Sequence, residues 1–198
     1  GEQTEREWER RYRSDEVFAA LRGVGRFSVV HLDFVDGAFG TEPVDEALGP
    51  DWFEVGIGNL LVYSLPLLER GDYLQQLKAR WLPYYEEDLR AERLEGVRRS
   101  CQHHLDHIPL YVDRGLYFQS FYRLQVSFER FLEALFISHR TYPIAYNKWI
   151  REQVEEILGL PDLYRQLPRL FEISSFESQE IARKAGDLRL LLEHYTTG

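Results

Sequence analysis

The stretch Leu116–Ile150, LYFQSFYRLQVSFERFLEALFISHRTYPIAYNKWI, decides how the chain is read. Phe121, Leu124, Phe128, Phe131 and Leu135 recur at steps of three and four, one apolar stripe on an α-helix of about five or six turns. Gln119, Arg123, Ser127 and Arg130 fall on the other side. Pro143 bars the residue before it from helical geometry, so the run ends at His139-Arg140-Thr141-Tyr142. A second helix is expected over 146–158, carrying Tyr146, Lys148 and Trp149 and stopped by Gly159 with Pro161 beyond. The turn would then gather His139, Arg140, Tyr142, Tyr146 and Lys148 at one end of a helical hairpin. Such a corner suits a triphosphate, the arginine forking two oxygens and the lysine acting as a point charge. The same residues also read as a surface turn with packed rings and solvated charges.

Working outward, a short helix is expected near 161–171. A last helix opens on Ser174-Ser175-Phe176-Glu177, the pattern of a capping box, and runs through Ile181, Leu188, Leu191 and Leu192 to Tyr195. Upstream, 86–108 is a long amphipathic helix with Leu94, Val97, Cys101, Leu105 and Ile108 inward. Residues 73–82 form another, stopped by Pro83, and 60–70 a short buried one interrupted by Pro66. The Gly- and Pro-rich 36–58 reads as loops with at most one short strand at Trp52–Val55. Arg26–Phe34, RFSVVHLDF, is the one convincing strand. Residues 3–22 form a charged helix with a thin apolar face of Trp8, Tyr12, Phe18 and Leu21. The expected fold class is α+β, predominantly helical. A remnant of a small mixed sheet occupies 1–85, and a helical bundle follows over 86–198.

A formal charge of −9 on 198 residues speaks against general nucleic-acid binding, which needs a basic footprint. The balance of 44% hydrophobic and 29% charged residues is that of a soluble globular chain. No apolar run reaches the ~20 residues of a membrane span, and no signal peptide is visible. The single cysteine, Cys101, fits a reducing, cytoplasmic setting. The chain starts at Gly1 and has no methionine, as expected of a processed chain or one cut from a longer protein. Its 14% aromatic content permits a homodimer interface.

Besides the hairpin corner, three groups of residues are suited to chemistry. Asp33, between Leu32 and Phe34, would project from the opposite face of the strand, where a carboxylate can bind Mg²⁺ or cap the next turn. Asp36 beside Gly37 reads as a turn residue. Cys101, His103, His104 and His107, with Asp106 among them, include a histidine pair four apart, a spacing that suits zinc or a solvated helical face. Glu129 and Glu133 sit one turn apart, and either would serve as general base for a hydroxyl if that face lines a cleft.

The order of parts resembles the later portion of a bacterial nucleotidyltransferase of the DNA polymerase beta-like superfamily, in the group with a kanamycin-nucleotidyltransferase-like helical C-terminal domain. Three passages carry the likeness: VVHLDF; WFEVGIGNLLVY with LLERGDYLQQLKARWLPYYEEDL; and RGLYFQSFYRLQVSFERFLEALFISHRTYPIAYNKW. The resemblance implies Mg²⁺-dependent transfer of a nucleoside monophosphate from an NTP to a hydroxyl of a small molecule or protein. It assigns Asp33 as the third catalytic, metal-binding carboxylate. Lys148, with Arg140, Tyr146 and His139, would contact the nucleotide. The family's Gly-Ser turn and acid-x-acid strand do not occur in this sequence. The two further acids would lie upstream, and the chain alone is expected to be inactive. The alternative is a non-catalytic helical interaction module, a degenerate transferase or an antitoxin-like partner. Arg98 to His103 and Arg99 to His104 also resemble the Arg-x4-His motif of HEPN ribonucleases.

Overall fold

The computed structural model describes residues 2–22, 35, 38–41 and 49–197. The chain divides into two compact units, Gly1–Ala38 and Phe39–Gly198. In the first, α1 (Glu2–Ser14) and α2 (Glu16–Arg22) are separated by Asp15. The Asp15 carboxylate accepts the N–H groups of Val17 at 2.9 Å and Phe18 at 3.2 Å, satisfying donors that a helix start leaves open. Trp8 and Tyr12 close on Phe18 with ring centroids 5.6 and 5.2 Å away, so the expected apolar face is folded back on itself.

The second unit is built on a hairpin of two long helices, α5 (Glu87–Asp113) and α6 (Tyr117–Ser138), which the last helix packs against. Gly115, at φ +73°, makes the tight reversal between them, a conformation glycine adopts without a Cβ penalty. Val97, Cys101, Leu105 and Ile108 of α5 meet Leu124, Phe131 and Leu135 of α6 in one core, closed by Ile181, Leu188 and Leu192. Helix α3 (Phe53–Ile57) runs into a π-helical turn, Gly58–Val62, and α4 spans Tyr73–Trp81. Phe53, Ile57, Leu61, Trp81, Tyr85 and Tyr142 form a second, smaller core. Beyond α6 come α7 (Ile150–Glu152), a π-helical turn at Gln153–Ile157, α8 (Pro161–Tyr164), a 3₁₀ turn at Pro168–Phe171, and α9 (Glu180–Tyr195).

The α+β expectation with a mixed sheet is therefore corrected: the described residues are helical and contain no strand. The strand expected at Arg26–Phe34 lies outside them. The short strand expected at Trp52–Val55 is instead the start of α3, whose first N–H, that of Phe53, donates to the Asp51 carboxylate at 3.0 Å. The apolar content of 60–70 also misled. Helical winding stops at Val62, and Leu65, Leu67 and Leu68 are 85, 97 and 76% exposed.

The turn after α6 differs from the expected hairpin. Tyr142–Lys148 is irregular, and the helix begins only at Ile150. One buried side chain organises it. The Gln153 carboxamide oxygen accepts the N–H groups of Ile144 (2.6 Å) and Ala145 (3.3 Å), while its nitrogen donates to the carbonyls of Ala145 and Lys148, both at 2.7 Å. Asn59 donates to the Ile144 carbonyl and Tyr63 to that of Tyr142, and Tyr142 in turn donates to the Trp81 carbonyl. Gly58 lies so close that a Cβ there would run into the Pro143 carbonyl oxygen. Arg140 and Trp149, at φ +49° and +50°, bracket the segment in the left-handed region that non-glycine residues seldom occupy.

Candidate functional site

Two helices and the residues before one of them carry three acids to one point. Asp51 precedes α3, Glu54 lies on its first turn, and Glu133 lies on α6. Glu54 and Glu133 are fully buried. Burying a carboxylate requires a counter-charge and hydrogen bonds, and Arg93 of α5 supplies them. Its Nε and Nη2 donate to the two Glu54 oxygens at 2.6 and 2.7 Å, its Nη1 and Nη2 to Asp51 at 3.0 Å, and its Nη2 to Glu133 at 3.3 Å. Arg130 donates to the other Glu133 oxygen at 2.8 Å, and the Tyr85 hydroxyl to Glu54 at 2.7 Å. The guanidinium also sits 4.8 Å from the Phe53 ring centroid, a cation–π placement.

Three carboxyls face two guanidiniums, so a proton kept on Glu133 brings the cluster to neutrality. Burial pushes the Glu133 carboxyl up to about 8, against the opposing pull of Arg130. Burial, then the Glu54 charge, pushes the Tyr85 hydroxyl far above its ordinary value, so it remains a donor.

Among the described residues, Asp51, Glu54 and Glu133 are the group of acids and histidines whose ligand atoms, within 4.8 Å of one another, have the spacing to hold an ion. Yet Arg93 bonds to all three, filling the cationic position itself. An Mg²⁺ ion, which demands near-octahedral oxygen ligation, would first have to expel it. These acids do not fit Mg²⁺.

Above this network opens a crevice of about 50 Å³ lined by Pro50, Asp51, Trp52, Glu129, Tyr146 and Asn147. Trp52 is 69% exposed at its rim. The Tyr146 hydroxyl is buried without a hydrogen-bond partner. Burial raises the Glu129 carboxyl above its ordinary value, against a hydrogen bond from Gln125 that lowers it. Of the two candidate bases on α6, Glu129 thus reaches a cleft, and Glu133 is locked under it.

The expected nucleotide corner is dispersed. Arg140 pairs with Glu87 at 3.0 Å, while His139 turns back to its own helix, its Nδ1 2.8 Å from the Leu135 carbonyl oxygen. Lys148 is exposed, its Nζ 5.8 Å from the Trp149 ring centroid, and Tyr146 belongs to the crevice and the core. Asp33 and Asp36 lie outside the described residues. On α5, Cys101 is buried, donates to the Ser127 carbonyl at 3.2 Å, and has its thiol pushed up to about 12 by burial, so it is not a nucleophile. The His103 and His107 rings lie tilted against each other with centroids 4.4 Å apart, and His107 Nδ1 is 2.8 Å from the His103 carbonyl oxygen, whereas His104 turns inward onto Arg123 at 3.1 Å. Arg99 is exposed beside Glu95 and His104 is buried, which separates one Arg-x4-His pair; Arg98 and His103 share a groove.

Asp51, Glu54 and Arg93 were not anticipated. Two signals existed. Arg93 stands four residues before Val97 on the inward stripe of α5, and Glu54 lies between Phe53 and Val55. Charges at core positions indicate a buried pair, but not which partner each takes.

Comparison with protein-family models, curated proteins and solved structures finds no match. The site is therefore read from its own geometry.

Proposed function

We propose that Phe39–Gly198 is the acceptor-binding helical part of a cytoplasmic nucleotidyltransferase-like protein, which transfers a nucleoside monophosphate from an NTP to a hydroxyl. The observation that carries this reading is Glu129. It is the half-buried acid of a crevice also lined by Asn147 and an exposed tryptophan. A carboxyl raised above its ordinary value is a stronger base when ionised, as abstraction from a hydroxyl requires. Glu129 takes the acceptor's proton while the acceptor oxygen bonds to the α-phosphorus, and the bond to the β-phosphate oxygen breaks to release pyrophosphate. Asn147 orients the acceptor. The Mg²⁺ that the resemblance implies would neutralise phosphate charge. The Lys148–Trp149 pair remains the exposed cation and ring for the nucleotide.

The test uses the full-length protein with each NTP, Mg²⁺ and a panel of hydroxyl acceptors, following pyrophosphate release. Glu129→Gln is expected to lower kcat by about 10²–10⁴-fold while leaving nucleotide affinity and thermal unfolding unchanged. Full activity in that variant overturns the role of Glu129, and no NTP binding at millimolar concentration overturns the transferase reading.

A second reading rests on the exposed leucines at 65, 67 and 68, an apolar projection that a soluble chain normally covers. It makes the unit a helical interaction module. Replacing Leu67 by Asp should abolish co-purification of a partner from the native host while leaving the fold intact. Unchanged co-purification removes this reading.

A further inference from the structure

Helix α5 presents a second face, away from the acidic crevice. Arg90, Leu94, Arg98, Gln102 and Asp106 recur every four residues, and Ala91, Glu95, Arg99 and His103 form the adjoining row. These rows span about 24 Å of helix. With Arg189 of α9 they line a groove of about 680 Å³. Four guanidiniums face it; two carboxylates, Glu95 and Asp106, share the groove and a third, Glu87, pairs with Arg90, in a chain whose total charge is −9.

The state of each arginine sets what the groove can hold. Arg99 meets Glu95 at 3.5 Å and Arg189 meets Asp106 at 2.7 Å, both pairs involving well-exposed acids. Such surface pairs contribute little and are readily exchanged. Arg98 donates one N–H to the Thr196 carbonyl at 3.0 Å, which fixes its side chain without neutralising its charge. Arg90 is buried, and Glu87 takes its Nε and Nη2, but Nη1 has no partner. The fold thus keeps one buried guanidinium with a donor unused and holds a second by a neutral carbonyl. It places two more opposite carboxylates they can leave.

We propose that this groove binds a small ligand carrying two or more phosphate groups. A phosphate accepts two parallel N–H bonds from a guanidinium, in a stronger arrangement than the exposed pairs it displaces. Arg98 and Arg99 are neighbours on α5, Arg189 joins them from α9, and Arg90 lies two turns away with Ala91 and Leu94 as apolar floor between. The groove is separate from the Glu129 crevice and does not depend on it.

The experiment titrates inorganic tripolyphosphate into the full chain by calorimetry, with orthophosphate and a single-stranded oligoribonucleotide as comparisons. Tripolyphosphate should bind in the micromolar range, more weakly as salt screens the charges, and orthophosphate at least tenfold more weakly. Arg99→Gln, at an exposed position, and Arg189→Gln, at a partly exposed one, should each weaken tripolyphosphate about tenfold. Glu129→Gln should leave it unchanged. Three outcomes overturn the proposal: no binding at millimolar tripolyphosphate, binding that ignores both arginine variants, or oligoribonucleotide binding far tighter than tripolyphosphate, which would make the groove a nucleic-acid surface.

Discussion

Without the guanidinium of Arg93, Asp51, Glu54 and Glu133 would face one another with no shared donor. Arg93→Met keeps most of the apolar stem and removes five N–H groups, so it isolates the charge. Breaking a buried ion network from one side costs about 3–5 kcal/mol, because the remaining charges stay buried. Urea unfolding of Arg93→Met should show a loss of that order, and Arg93→Lys should recover little of it, since an ammonium cannot fork two carboxylates. A loss below about 1 kcal/mol would mean that the carboxyls take up protons or water at small cost.

Among the elements, the long helices were legible and the turns between them were not. The stripe from Phe121 to Leu135 marked α6 correctly, and Leu94 to Ile108 marked α5, because burial on one face leaves a period in the sequence. Even there the second half of α6 is buried all round, Arg130 and Glu133 included, so the expected polar side is absent where the ion network replaces it. Tyr146–Trp149 was read as the start of a helix because its residues do not forbid one, whereas the helix begins only at Ile150. What shapes the turn is Gln153, Asn59 and Tyr63, and no local pattern records partners 79 or 85 residues away. The candidate site was legible to the same degree. Glu129, Glu133 and Tyr146 were visible as chemistry, whereas their sorting into an open base, a locked acid and a buried donor depends on Asp51 and Arg93 arriving from other elements.

For the whole molecule, two buried groups oppose each other in their response to pH. Glu133, raised from 4.5 to about 8, contributes stability that is complete below pH 4.5 and lost as pH rises through about 8. His104 is lowered from 6.5 to about 4, by burial first and then by the Arg123 charge. Its contribution is complete above pH 6.5 and lost as pH falls through about 4. Thermal unfolding followed from pH about 4 to about 8 should show Tm falling towards both ends. Glu133→Gln should flatten the alkaline limb by roughly 5–10 °C, and His104→Gln the acid limb. Curves for both variants that run parallel to the parent would place the titrating groups elsewhere. No helix among the described residues is long and apolar enough to cross a membrane.

The carboxamide of Gln153 holds both N–H groups and both carbonyls that fix the turn before it. Synthesis proceeds from the N-terminus, so Ile144–Lys148 leave the ribosome before the side chain that shapes them. The wall of the crevice formed by Tyr146 and Asn147 is therefore set late, after α5 and α6 are complete, and a nascent chain halted before residue 153 would carry the base without its pocket.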